Sequence, residues 1–194
     1  MARKDGFVWL ERPLRPGPLR SAAEAIGAEA DYVSEISLVA PALVRSLSAA
    51  LRKGALLLID YGFGRREYYH PQRAQGTLMC HYRHRAHADP FFLPGLQDLT
   101  VHVDFTSIAE AGIDSGLKLL GYTTQAQFLI NCGITQLLDQ QSAAAASSRF
   151  ALTAGVQKLL SPAEMGELFK VIALARGIDG PLIGFASGDK SRLL

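Results

Sequence analysis

Glu67, Asp98 and Asp104 are carboxylates set among Tyr61, Tyr68 and Tyr69. Those residue types suit the planar cation of an arginine side chain, which takes a carboxylate in a two-pronged fork and stacks on aromatic rings. The five histidines, His70, His81, His84, His87 and His102, fall in the same part of the chain. Imidazole titrates near neutrality, so His84 and His102 are candidates to orient a substrate or take a proton. Each of these side chains also has a plainer use, on the surface, in a turn or as a hydrogen-bonded structural group. A metal centre is a second chemistry to weigh, because Cys80, His81, His84 and His87 crowd into one run. Adjacent Cys80 and His81 are poorly spaced for one tetrahedral ion and no second ligand cluster follows, so no metal is expected. Interleaved arginines, histidines and Tyr82 would also suit a phosphate-binding or RNA-binding loop. The net charge is only +2 and no recognisable nucleic-acid motif is present, so no nucleic-acid partner is expected.

These residues need a scaffold, and the chain supplies one just before them. Ala55 to Ile59 is a continuous apolar run too short for a helix, followed by Asp60-Tyr61-Gly62-Phe63-Gly64, where glycines let the backbone turn. The pattern predicts a buried central parallel strand delivering polar groups at its carboxyl end, where ligands sit in open α/β sheets. Residues 62–98 then read as a long non-periodic loop, a length that marks function within a compact domain. Gly62 and Gly64 do not read as a nucleotide-binding turn, because Arg65 to His70 runs into Pro71 and no amphipathic helix opens after them. Upstream, Val39, Leu43, Leu47 and Leu51 recur at spacing four and predict a helix over 38–53, capped by Ser37 and closed by Gly54. Helix, glycine and strand make half of a βαβ unit, with the helix covering one face of the sheet.

The remaining elements follow in order. Residues 1–33 form an irregular lead-in, with a short strand at Phe7 to Leu10 running into Pro13, Pro16 and Pro18. Leu99 to Val103 alternates and predicts a strand carrying His102, with Asp104 or Thr106 capping a helix to about Asp114. Leu117 to Leu120 is a further strand, Thr124 to Cys132 a helix closed by Gly133, and the alanine-rich Ser142 to Leu160 a helix. A short helical pattern covers Glu164 to Lys170, and Pro181 to Ala186 reads as a last strand. The sequence carries no internal repeat.

Of the 194 residues 48% are hydrophobic and 20% charged, ordinary for one soluble domain with a sizeable core. No apolar run approaches the roughly 20 residues that span a bilayer, so no membrane partner is expected. Two cysteines, Cys80 and Cys132, make no disulfide framework and suit a reducing compartment. With no signal-peptide core after Met1, this reads as a cytoplasmic location.

The motifs IDYG, EYYHPQR, GTL and PGLQDLTVHVDF, in that order, resemble the MidA-like family of S-adenosylmethionine-dependent methyltransferases, as do TQAQFL with Gly133-Ile134, and EMGELFKV. That family includes an arginine methyltransferase assisting assembly of respiratory complex I. The resemblance implies an α/β fold, a partial Rossmann-like sheet with helices on its faces and a long functional loop. It implies S-adenosylmethionine as methyl donor, with Asp60 and Gly62 near the cofactor's edge. Glu67, Asp98, Asp104, His84 and His102 would be catalytic, and Tyr61, Tyr68, Tyr69 and Arg73 substrate-binding. The implied partner is a protein presenting an acceptor arginine, such as a respiratory NADH dehydrogenase subunit, and self-association stays open. Trp9, Glu11 and Arg12 resemble a segment from the middle of the family, and its Gly-rich cofactor loop has no counterpart here. The expectation is therefore a carboxyl-terminal half of a class I methyltransferase-like domain, inactive alone. The competing expectation is a non-enzymatic binding or assembly module that keeps the acceptor loop.

Overall fold

The computed structural model describes residues 2–3, 6–27, 31–140 and 146–194. In chain order the elements are β1 (Ala2–Arg3), β2 (Gly6–Phe7), α1 (Pro18–Ile26), α2 (Val39–Ala50), β3 (Gly54–Phe63), α3 (Arg65–Tyr68), β4 (Met79–Tyr82), β5 (Arg85–His87) and β6 (Asp98–Thr100). After them come β7 (Val103–Asp104), α4 (Phe105–Asp114), β8 (Lys118–Thr124), α5 (Gln125–Asn131), α6 (Ile134–Gln140), α7 (Ala146–Leu160) and β9 (Phe169–Arg176). The chain divides into two compact units, residues 1–38 with 67–102, and residues 39–66 with 103–194.

The second unit is a four-stranded sheet in the order β7-β3-β9-β8 with helices against it, an α/β architecture. Its most buried strand is β9, not the glycine-flanked run of β3. Val171, Ile172 and Ala173 are wholly buried, because β9 pairs antiparallel with β3 on one side and β8 on the other. Alternation along β9 sends Ile172 and Leu174 into a cluster with Val44, Phe105, Ile108, Leu117 and Tyr122. Val171 and Ala173 face the other way, against Phe185, Leu120, Phe128 and Leu182. Each large apolar side chain buried in this way contributes roughly 1.5–3 kcal/mol.

Strand β3 departs from the expectation of a central parallel strand. It runs antiparallel to β9 from Gly54 to Tyr61 and parallel only to the two residues of β7. Leu56 and Leu58 pack on the core while Leu57 and Ile59, on the opposite face, are 45% and 47% exposed. The uniform apolar run concealed this asymmetry, since four consecutive aliphatic residues look alike from either face.

Local chemistry explains the helices. Asp104 accepts hydrogen bonds from Thr106 N and Ser107 N and starts α4; Thr124 accepts from Gln127 N and starts α5. Arg176 closes two helix ends, donating to Ser48 O (3.0 Å) and Leu51 O (2.8 Å) after α2 and to Ser115 O (2.7 Å) after α4. A cation there meets the negative ends of both helices and carbonyls that lack intrahelical partners.

Other expectations shift. Leu99 to Val103 divides between β6 and β7, which belong to separate sheets. Residues 164–168 form turns leading into β9, which begins at Phe169, and the expected strand at Pro181 to Ala186 is a 3₁₀ turn at Ile183–Phe185. Helix α7 covers the alanine-rich stretch from Ala146; Ser142 to Ala145 lie outside the described residues. Among the described residues no helix is long and apolar enough to cross a membrane.

Asp189 ties the carboxyl-terminal segment to β8, accepting from Tyr122 N (2.9 Å), Ser191 N (3.1 Å) and the Ser191 hydroxyl (2.7 Å). Burial pushes its carboxyl up, but these bonds and one from Lys190 N outweigh burial and leave it below the usual value. Its stabilisation is therefore present above the unfolded carboxylate pKa of about 3.9 and lost as pH falls through the depressed folded value. Asp189→Ala should cost about 1 kcal/mol at neutral pH, allowing for the site's exposure. Thermal melts of both proteins should converge in acid; a gap independent of pH would contradict the assignment.

Candidate functional site

The first unit is knitted together by a carboxylate absent from the sequence-based candidates, Glu35. Its side chain accepts from Thr77 N (3.0 Å to each oxygen), the Thr77 hydroxyl (3.0 Å) and Leu78 N (3.0 Å), with the Tyr68 hydroxyl at 3.4 Å. The Tyr69 hydroxyl donates to the Glu35 backbone carbonyl at 3.3 Å. Gly76, at φ +75°, makes this approach possible: a Cβ there would lie 2.3 Å from Glu35 Oε1. Thr77 passes the connection on, its hydroxyl oxygen accepting from His102 N at 3.0 Å. The result is a charged, saturated hydrogen-bond centre joining residues 35, 68–69, 76–78 and 102. Nothing local signals it, because the donors stand some forty positions downstream.

Several candidates stand on this framework. Tyr68 is buried and its ring lies 4.7 Å from that of Tyr69, which is half-buried. Glu67 differs, with its side chain 61% exposed and one oxygen 3.8 Å from Arg73 Nη2. That separation is an ion pair without a close hydrogen bond. Arg73 is held in turn by the 3₁₀ turn Pro71–Arg73, which His70 caps by accepting from Gln72 N at 3.2 Å.

Asp98 and His84 lie on the three-stranded sheet β5-β4-β6. The stretch expected to be a structureless loop therefore contains this sheet as well as two helical turns. His84 and Arg83 form the β4–β5 turn at φ 63° and 48°, the left-handed pair that a two-residue hairpin demands. Among the described residues neither Asp98 nor His84 enters the hydrogen-bond group around Glu35. Cys80 and His81 are neighbours on β4 and so project to opposite faces. Among the described residues no group of three or more His, Cys, Asp or Glu is placed to hold a metal ion.

The other candidates belong to the second unit. Asp104 is an ion-pair partner of Arg65 (Nε to Oδ2, 3.5 Å) as well as the cap of α4. Burial pushes its carboxyl above the usual value, against the opposing pull of Arg65 and the two cap N–H groups. Arg65 is in turn held by Glu110 through both terminal nitrogens, at 2.8 and 2.5 Å. Tyr61 meets Phe169 edge to face at 5.5 Å. Asp60 is exposed and accepts from Tyr61 N at 2.8 Å. At Gly62 an added Cβ would lie 2.1 Å from Val103 O. The space that a side chain would fill is thus taken by the backbone of β7.

Comparison with known proteins gives this arrangement its context. Residues 1–123 match the family described as "Putative S-adenosyl-L-methionine-dependent methyltransferase". The mitochondrial protein arginine methyltransferase NDUFAF7 of Mus musculus is 33% identical over 146 residues, 72% of this chain and 31% of the relative. The Drosophila melanogaster homolog is 29% identical over 185 residues, 91% of this chain and 38% of the relative. A crystal structure from Burkholderia thailandensis bound to S-adenosyl-homocysteine superposes with a TM-score of 0.92 at 54% identity, covering 97% of this chain and 49% of that one. The chain thus spans about a third of the curated relatives and half of the solved one.

These relatives correct one expectation. The curated proteins are mitochondrial, which overturns the cytoplasmic location inferred above. That inference rested on reduced cysteines and the lack of a long apolar segment, and neither property separates one reducing compartment from another. The fold, by contrast, is the Rossmann-like α/β fold that the motifs implied. From the family match over its first 123 residues and the close superposition on a solved relative, the chain belongs to this family of S-adenosylmethionine-dependent methyltransferases.

Proposed function

We propose that this chain is the acceptor side of a protein arginine methyltransferase, with Glu67 receiving the substrate guanidinium. The observation that carries the reading is the exposed Glu67 carboxylate, which stands 3.8 Å from a guanidinium of its own chain. An incoming arginine displaces Arg73 and takes both Glu67 oxygens in fork geometry. Tyr68 and Tyr69, anchored on Glu35, hold the short helical turn that presents Glu67. Similarity to the NDUFAF7 arginine methyltransferases supports this substrate class, and a respiratory NADH dehydrogenase subunit is the substrate the motifs imply.

S-adenosylmethionine, when bound, supplies the methyl group. The chain's own contribution is to orient the acceptor nitrogen and to favour a fixed guanidinium geometry. Because the family's Gly-rich cofactor loop has no counterpart in these 194 residues, the chain alone should not bind S-adenosylmethionine tightly. Calorimetry should show no binding at micromolar concentrations; clear micromolar affinity would sink this part of the reading.

The substrate role is tested in a full-length protein joining this chain to the half of the Burkholderia relative that it does not cover. Glu67→Gln keeps size while removing charge, weakening a charge-assisted pair by roughly 1.5–3 kcal/mol. Transfer to an arginine peptide should fall by about tenfold or more, with cofactor affinity unchanged. Undiminished transfer in the variant would show that Glu67 is only a solvated turn residue and would favour a binding or assembly role for the chain.

A further inference from the structure

The β4–β5 hairpin ends in a strained, cationic turn. Arg83 and His84 hold it at φ 48° and 63°, a conformation that hairpins usually give to asparagine and glycine because larger side chains crowd the backbone there. Keeping an arginine in it costs local strain, and strain retained in a surface turn points to a side chain held for use. Arg83, His84 and Arg85 are all exposed. Among the described residues no carboxylate lies within ion-pair distance of Arg83 or Arg85, whereas Arg20, Arg65 and Arg73 each have one.

A chain of aromatic rings holds the first of these cations in place. The Arg83 guanidinium lies 5.4 Å from the centre of the Tyr82 ring. Tyr82 meets Phe92 edge to face at 5.9 Å, and Phe92 meets His87 edge to face at 5.3 Å. His87 is fixed in turn by accepting from Asp89 N at 3.3 Å. Arg85 stands directly opposite Tyr82 across the ladder, on the sheet face that also carries Cys80 and His87. The neighbouring carboxylates are directed elsewhere. Asp98 pairs in register with His81 on the opposite face, and Asp89, beyond the far end of β5, accepts from Phe91 N at 2.9 Å. The turn therefore presents two cations beside one ring, ordered before any ligand arrives, which lowers the cost of binding an anion.

We propose that this turn receives an acidic segment of the protein substrate, whose carboxylates pair with Arg83 and Arg85. The proposal rests on the chain being the acceptor side of a protein methyltransferase, and it adds a substrate preference for acidic residues near the acceptor arginine. Charge decides the class of partner, since guanidinium groups take carboxylates in fork geometry. With a net charge of only +2 the chain lacks the broad basic surface that a nucleic-acid backbone calls for. The spacing follows from β4. Leu78 belongs to the Glu35 centre, and Arg83 lies five positions further on, about 17 Å along an extended strand. Tyr68 belongs to the same centre and Glu67 precedes it. The acidic residues therefore stand about five extended residues from the acceptor arginine.

The test measures binding of two labelled peptides to this full chain by fluorescence anisotropy at low salt. One carries a single arginine with two glutamates about five residues away, and the other has glutamines in their place. The glutamate peptide should bind about fivefold more tightly, the gain expected of two exposed charge pairs, and added salt should erase the difference. Arg83→Gln combined with Arg85→Gln should abolish the preference while leaving the affinity for the glutamine peptide unchanged. Arg85→Gln alone, which leaves the turn residues in place, should reduce the preference to about twofold and serves if the double variant fails to fold. Glu67→Gln should weaken both peptides equally and keep the preference; unchanged affinities with the preference intact would count against Glu67 and not against the turn. No measurable binding of the glutamate peptide, equal binding of the two peptides, or a preference that survives the arginine substitutions would overturn the proposal. So would tighter binding of a single-stranded RNA that the double variant loses, since the turn would then take phosphates.

Discussion

Glu35→Ala is expected to lower the stability of the first unit by about 2–4 kcal/mol. The estimate follows from the donors it would strand: Thr77 N and Leu78 N each lie 3.0 Å from the carboxylate, and the Thr77 hydroxyl donates to it as well. Hydrogen bonds to a charged acceptor are worth roughly 1.5–3 kcal/mol each, and water reaching a half-buried site recovers part of that. Glu35→Gln sharpens the test. It keeps the volume, but its amide group offers a donor where Thr77 and Leu78 already present donors, so the loss should remain above about 1 kcal/mol. Thermal melts with hydrogen exchange at residues 76–78 would check both variants. Exchange there should accelerate while the core strand β9 stays protected. Wild-type protection at residues 76–78 in Glu35→Ala would show that Glu35 does not organise this unit.

Gly62→Ala should destabilise the second unit by about 3 kcal/mol or more, whether or not a cofactor is present. The new Cβ would sit 2.1 Å from Val103 O and 2.8 Å from Val103 N, and both obstructing atoms are backbone. A side chain could swing away, but relieving this clash means separating β3 from β7, with which it pairs in parallel. Overpacking where neighbours cannot yield lies at the severe end of such substitutions. Gly155→Ala in α7 is the matched control. A Cβ there meets nothing within 4 Å, so the variant should be neutral or stabilised by up to about 1 kcal/mol. If Gly62→Ala instead melts like wild type and reduces only cofactor affinity in the full-length protein, the glycine serves the ligand and not the sheet.

What the chain wrote locally was legible in its sequence. The existence of α2 followed from apolar residues at spacing four, although it ends at Ala50, Gly54 opens β3, and the buried side chains are Val44 and Ser48 while Val39, Leu43 and Leu47 are exposed. The starts of α4 and α5 followed from Asp104 and Thr124, whose cap bonds close within three residues. Motif order was likewise enough to identify the methyltransferase family. Other features depended on partners far along the chain. The sheet's true centre is β9, whose pairing with β3 brings together residues more than a hundred positions apart, and an apolar tetrad cannot state which neighbour it will find. Asp104 was legible as a cap but not as the ion-pair partner of Arg65, and Glu67 not as the neighbour of Arg73. Glu35 gave no sign at all, since its value lies wholly in donors at Thr77 and Leu78 that only the folded chain delivers. Caps and periodicities are energies of neighbouring residues and can be read in a line. Edge pairing, carboxylate hubs and the close approach at Gly62 are energies between distant segments, fixed only when the tertiary structure brings them into contact.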